Sequence, residues 1–274
     1  MARRLHQRAD MDQGEFDRLI VRARNPRLIP GIYNYCDGRC PRCAFRDRCL
    51  TFLDNQQIGA SGADDGTSAA ESVGASMQRA IEMIAEAARR TETDLTAIDA
   101  SAHDDARFDS ERHRADPMAV RAREYGHLAW RIAKAVEPLV VARGDPVVVD
   151  AVGTIDWFCS LISAKVYRAI CGLAERGDPD EDVQTDYNGS AKIALIGIEE
   201  SRRAWRVLME QGRATADGVP AQAVKMLDGL EVAIRERFQR VMEFVRPGFD
   251  EPDVAAGALT RRAPFERRPR RAER

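Results

Sequence analysis

Only four histidines stand among the 274 residues, and that scarcity removes most metal chemistry built on imidazole. Glu124-Tyr-Gly-His127 has the Glu-x-x-His spacing of di-iron helical bundles, but the chain holds no second copy of it. At about 100° per residue, His127 falls roughly 160° from the apolar stripe of its own helix, beside Arg131 and Lys134, so it is expected to face solvent. A surplus of charge of one sign is also missing: Lys and Arg total 42 against 44 Asp and Glu, a net charge of −2. Such a balance argues against a general nucleic-acid coat or a membrane-surface binder. No uninterrupted apolar run reaches about 18 residues, so no helix is expected to span a membrane. The basic start, Met1 to Leu19, has no apolar stretch behind it and does not read as a secretory signal; the expected location is the cytoplasm. Period-two alternation is absent apart from the short Val147-Val148-Val149, which runs on into a helical pattern.

Nor is there a disulfide framework, although the chain has six cysteines. Four crowd into Cys36 to Cys49, and the other two, Cys159 and Cys171, share one expected helix. Twelve positions at 1.5 Å per residue separate that pair by roughly 18 Å, well beyond the ~7 Å Cα separation that a disulfide tolerates.

What is present is ordinary globular composition, 44% hydrophobic and 31% charged, arranged with helical periodicity. Asp12-Gln-Gly-Glu15 reads as a capping box opening a short helix through Phe16, Leu19 and Ile20, stopped at Asn25-Pro26. After Cys49, Leu-Thr-Phe-Leu suggests another short helix. Residues 57–69 are rich in Gly, Ser and Asp and read as a flexible linker. Long helical patterns follow. Val73, Met77, Ala80, Ile81, Ile84 and Ala88 make one stripe; Tyr125, Leu128, Ala129, Ile132, Ala133 and Val136 make another. A third pattern, from near Val147 to Leu173, is apolar on two faces, Trp157, Leu161 and Tyr167 opposite Ile155, Phe158, Ile162 and Val166, as suits the middle of a bundle or a helix covered by a second subunit. A fourth starts near Ser190 and passes Trp205 to Leu208. The fifth uses Val224, Leu227, Leu230, Ile234, Phe238, Val241 and Val245. The expected fold class is all-α, a bundle of four to five long helices with an N-terminal cysteine-rich metal-binding module. The expected divisions are 1–56 for short helices and the cysteine cluster, 57–69 for the linker, 70–250 for the bundle and 251–274 for a disordered tail. That tail has seven Arg against two Glu between Arg261 and Arg274.

The chemistry-bearing segment is Cys36-Asp-Gly-Arg-Cys40-Pro-Arg-Cys43-Ala-Phe-Arg-Asp-Arg-Cys49, with gaps of three, two and five residues. Neutral thiols gain nothing from such crowding, whereas a metal stabilises the thiolate form. The interleaved Arg39, Arg42, Arg46 and Arg48 suit a centre whose four thiolates outweigh the metal's positive charge. Zinc commonly takes two Cys-x-x-Cys knuckles, and here one is missing; iron–sulfur clusters are often held by a tight run of cysteines. Cys36, Cys40, Cys43 and Cys49 are therefore candidate ligands, for an iron–sulfur cluster first and for zinc as the alternative.

Cys40-x2-Cys43-x5-Cys49 resembles the closing half of the [4Fe–4S] loop of endonuclease-III-type DNA glycosylases, and the auxiliary-cluster motif of some radical enzymes. The resemblance covers ten residues and implies Cys40, Cys43 and Cys49 as cluster ligands; Cys36 departs from the glycosylase spacing, and no helix-hairpin-helix glycine turn accompanies it. Over the chain as a whole, Tyr35-Cys-Asp-Gly-Arg-Cys-Pro-Arg-Cys43, the Trp157-Phe158 helix and Asp186-Tyr-Asn-Gly-Ser-Ala-Lys192 resemble a family of bacterial all-helical proteins with an N-terminal four-cysteine cluster. That resemblance implies a fold and brings no activity with it.

Elsewhere, Glu200 and Glu231 fall inside apolar stripes and are expected to pair with Lys165 or Arg168 of the central helix or to sit at a solvated stripe edge, or else to line a polar pocket as acid, base or ligand. Asn188 or Ser190 is expected to cap the fourth long helix, whose first amides beside Lys192 suit an anion such as phosphate less well than a simple cap. Cys159 falls on the core face as packing. Three functions follow: a redox or cluster-dependent protein with an unidentified protein partner; a zinc-stapled interaction module without chemistry; and nucleic-acid binding through the Arg-rich tail, against which the charge balance argues.

Overall fold

The computed structural model describes residues 13–62, 69–95, 110–176, 182–211 and 218–251. Among them every regular element is helical: α1 (Gln13–Ala23), α2 (Leu50–Gly62), α3 (Ala69–Arg90), α4 (Ser110–Ala115), α5 (Pro117–Arg143), α6 (Pro146–Arg176), α7 (Asp186–Glu210) and α8 (Val219–Arg237), with short 3-10 turns between α1 and α2 and after α8. The all-α expectation holds, with no strand among the described residues.

Local chemistry sets where the long helices begin and end. Asp116 accepts a hydrogen bond from the Met118 amide at 2.9 Å and caps α5, and Pro117 opens it where no amide partner is needed. Gly144 ends α5 in the left-handed region at φ 71°, its amide returning to the carbonyls of Val140 and Val141. Pro146 then starts α6 two residues later, which sends that helix back along α5.

Four helices close a ring: α5 packs on α6, α6 on α7, α7 on α8, and α8 on α5. The core between them includes Tyr125, Phe158, Ile162, Trp205, Leu227 and Leu230, none more than 1% exposed. Burial of such side chains stabilises by about 1.5–3 kcal/mol each. The Trp205 indole N–H donates to the Tyr125 hydroxyl at 3.2 Å, so these two buried polar groups partner each other. α5 and α6 approach closely at Gly126, where a Cβ would lie 2.6 Å from the Cys159 carbonyl oxygen.

Several expectations are corrected. α3 forms, but Met77, Ile81 and Ile84 are 64, 59 and 58% exposed; its contacts are with α1, outside the ring, so the stripe is not core. The fifth long helix stops at Arg237, because Phe238 leaves helical geometry at φ −115°, ψ 69°; Val241 lies in a separate 3-10 turn and Val245 is exposed. α2 extends through Gly62, so residues 57–62 of the expected linker are helical, while 63–68 lie outside the described residues. The Asp12 cap and the Arg-rich segment 261–274 also lie outside them. α6 is by length and composition apolar enough to cross a membrane, a property it shares with buried core helices. Its two apolar faces produce that composition, and both are used within the chain. One meets α5 and α7, and on the other Trp157, among polar neighbours, meets the cysteine segment.

Candidate metal centre

The cysteines are set by a succession of tight turns. Gly31, left-handed at φ 72°, starts the 3-10 turn Ile32–Tyr35, and Cys36 follows it in extended geometry. Gly38, at φ 73°, reverses the chain so that the Cys40 amide reaches the Gly38 carbonyl at 2.9 Å. Cys40 opens the second turn and Cys43 closes it, the Cys43 amide donating to the Cys40 carbonyl at 3.1 Å. Cys49 closes the third turn, Arg46–Arg48, just before α2. Every one of the four thus sits at the edge of a turn.

All four cysteines line one cavity of about 20 Å³, together with Ile32, Tyr33, Arg39, Arg46, Phe52 and Phe249 among others. Its base is apolar: Ile29, Ile32 and Cys49 are buried, with Phe45, Phe52 and Phe249 packed against them. The Phe45 amide donates to the Cys43 sulfur at 3.4 Å, and the Cys36 thiol to the Tyr33 carbonyl at 3.5 Å. Burial pushes the Cys36 and Cys40 thiols up, and neighbouring cysteines push both further, Cys40 and Cys49 acting on Cys36 while Cys49 and Cys43 act on Cys40.

The segment rests on α6 along a single stripe. Positions 150, 154, 157, 161, 165 and 168 fall within about 80° of one another at ~100° per residue. Asp150 pairs with Arg42, whose hydrogen bond holds that carboxylate below its usual range, and lies 3.9 Å from Arg39. Arg39 donates to the Thr154 hydroxyl at 3.0 Å. The Trp157 indole N–H donates to the Asp37 carbonyl at 2.8 Å, and its ring lies where a Cβ on Gly38 would come within 3.0 Å. Lys165 donates to the Asn34 carbonyl at 2.8 Å; burial draws its ammonium down and Arg168 adds to this, with Cys36 and Asp186 pulling the other way. Arg168 grips Asp186 at the start of α7 with two bonds of 2.7 Å, and Asp186 also accepts from the Tyr35 hydroxyl at 3.1 Å.

Sequence reasoning placed none of these α6 residues in the site. Their common spacing of three and four was the available signal. The remaining candidates turn out to be structural. The α7 cap is Thr185, whose hydroxyl accepts from the Asn188 amide at 3.3 Å, and neither Asn188 nor Ser190 takes that role, because the helix begins earlier than expected. Lys192 is buried against the Phe244 and Met242 carbonyls and Asp250, so it offers nothing to an anion. Glu231 pairs with Arg202 and Arg235, and Glu200 with Arg203; Lys165 donates to the Asn34 carbonyl and Arg168 to Asp186 instead. Glu124 and His127 are exposed beside Trp130 and Arg131. Cys159 is buried, donating to the Asp156 carbonyl at 2.9 Å.

Around the cavity stand four cysteines, an amide aimed at the Cys43 sulfur, and Arg39, with Lys165 beside Cys36. Among the described residues, no three His, Cys, Asp or Glu side chains are gathered closely enough to hold a single metal ion. Comparison with protein-family models, curated proteins and solved structures finds no match for the chain.

Proposed function

We propose that the protein holds a metal centre on Cys36, Cys40, Cys43 and Cys49, an iron–sulfur cluster of the [4Fe–4S] type before zinc, serving a redox or cluster-dependent role. The observation that carries this reading is that all four cysteines border one cavity, although each sits on a different turn edge. Their arrangement bears on the choice of metal. A single zinc needs every sulfur about 2.3 Å from one point, a convergence absent among the described residues. In a [4Fe–4S] cluster each thiolate binds its own iron, which suits sulfurs set around a common space. When bound, such a cluster would supply one-electron transfer. The chain's own part is to hold four thiolates, aim the Phe45 amide at Cys43, and set Arg39 and Lys165 against the centre's negative charge.

A second reading, structural zinc in a module that binds a protein partner, draws on the cavity's size. At about 20 Å³ it has room for roughly one water-sized sphere.

Anaerobic purification with metal and sulfide analysis and a visible spectrum tests both readings, beside a variant with Cys40 and Cys43 changed to Ser. Iron with matching sulfide and absorbance near ~400 nm, lost in the variant, is the expected result. Colourless protein with one zinc would overturn the redox reading and leave the interaction module.

A further inference from the structure

After α8 the described residues turn back across α7 and reach the cysteine segment. Three anchors fix its path. Lys192, 9% exposed, donates to the Phe244 carbonyl at 2.5 Å, the Met242 carbonyl at 3.3 Å and the Asp250 carboxylate at 2.8 Å. Asp250 accepts in addition from the Arg246 amide at 3.0 Å and the Arg246 guanidinium at 2.8 Å. Phe244 is buried edge-on against the Tyr35 ring, with centroids 4.7 Å apart. Between these anchors, Gly248 at φ 77° passes so close to the cysteine segment that a Cβ would fall 2.9 Å from Ile29 Cδ1. Phe249 then lies in the wall of the cysteine cavity, edge-to-face with Phe45 at 5.2 Å, with the Arg246 guanidinium 4.9 Å from its ring.

Among the described residues, no other part of the cavity wall comes from outside 32–52. The consequence is exposure control. Cys49 is only 8% exposed and belongs to the small apolar cluster that Phe249 packs against. An apolar wall around a metal–thiolate site governs how far water and reagents reach it.

We infer that the segment 238–251 is the lid of the cysteine site. Phe249 is the side chain that shields Cys49 and the cavity, and Lys192, acting through Asp250, is the positioning residue that holds the lid shut. The shielding of a metal rests on the proposed metal centre; the shielding of Cys49 does not.

The test uses the full chain as isolated anaerobically, with two timed readouts: extraction of its measured metal by EDTA, and alkylation of each cysteine by iodoacetamide mapped by peptide mass. In F249A both should quicken by about tenfold or more, because such reactions follow the population of the locally open form. F249L, which restores an apolar plug, should return both close to the parent rates. K192M should quicken both with Phe249 still present. Cys159 and Cys171, buried in the bundle at 5 and 9% exposure, are internal controls whose labelling should not change. Unchanged Cys49 labelling in F249A, or an equal rise at Cys49, Cys159 and Cys171, would overturn the lid. If the parent protein carries no metal, the proposed function falls, and the alkylation of Cys49 still decides the lid.

Discussion

Tyr35 lies against α7 because residue 189 is glycine: a Cβ there would fall 2.3 Å from Tyr35 Cε1 and 2.7 Å from Phe244 Cζ. The cysteine segment and the C-terminal segment meet over that one bare Cα. Gly189→Ala should gain about 0.8–1.0 kcal/mol of helix propensity and lose about 1–3 kcal/mol to overpacking. The expected net effect is undocking rather than unfolding. Amide exchange should accelerate over residues 32–49 and 241–250, with α5 and α6 unaffected; an unaltered exchange pattern would show that the ring can move aside freely.

Trp157 joins the bundle to the cysteine segment through one bond, from its indole N–H to the Asp37 carbonyl. Trp157→Phe keeps most of the ring and removes that donor, a loss of about 0.5–1.5 kcal/mol for a hydrogen bond. Trp157→Ala also uncovers Gly38 and should weaken docking further. The order parent, Phe, Ala in resistance of residues 32–49 to exchange checks this, and equality of the two variants would assign the whole effect to the hydrogen bond.

Asp250 provides a pH signature. Burial pushes its carboxyl up, but the hydrogen bonds from Arg246 and Lys192 outweigh this and hold it well below the ordinary carboxylate range. A depressed native value contributes stability that is present above the unfolded value of about 3.9 and disappears as pH falls through the native one. Asp250→Asn should therefore be less stable than the parent at pH 7, and the gap should close progressively below about pH 4. Denaturant midpoints of both proteins across that range measure it, and a constant gap would contradict it.

At the alkaline end the sign reverses. Burial pushes the Tyr125 hydroxyl up to about 12, against the opposing bonds from Ser201 and Trp205. A raised native value means that stability is intact below the unfolded value of about 10 and lost as pH climbs from there toward 12. Tyr125→Phe should cost about 0.5–1.5 kcal/mol at neutral pH for the lost bond to Trp205, then fall away less steeply than the parent above pH ~10. Parallel curves would mean that the phenol is not buried as described.

How far these features were legible in the sequence depended on how local their cause is. The four bundle helices were readable because Tyr125, Ala129, Ala133 and Val136, or Leu227, Leu230 and Ile234, repeat at the helical period and are buried as that repeat implies. That the four cysteines border one cavity follows from a run of fourteen residues and its turns, a distance over which spacing is informative. Long-range placement was not readable. The second apolar face of α6 could have faced a fifth helix or a second subunit, and nothing near Trp157 said that Asp37, 120 residues earlier, would meet it. Ion pairing misled for the opposite reason: Glu200 and Glu231 were expected to reach across the core to α6, but Arg203 stands three residues from Glu200 and Arg235 four from Glu231, and the nearer partners took them. The periodic stripe of α3 was true helix and false core, since periodicity reports an amphipathic surface and not what covers it.

The lid has a consequence for the order of events during synthesis. The four thiols are translated first, the floor that Trp157 and Lys165 provide follows more than a hundred residues later, and Phe249 follows Lys165 by 84 residues. A metal carrier that meets the growing chain would therefore find the thiols without floor or cover. The proposed centre would be loaded while accessible and closed over only after Phe249 has been made.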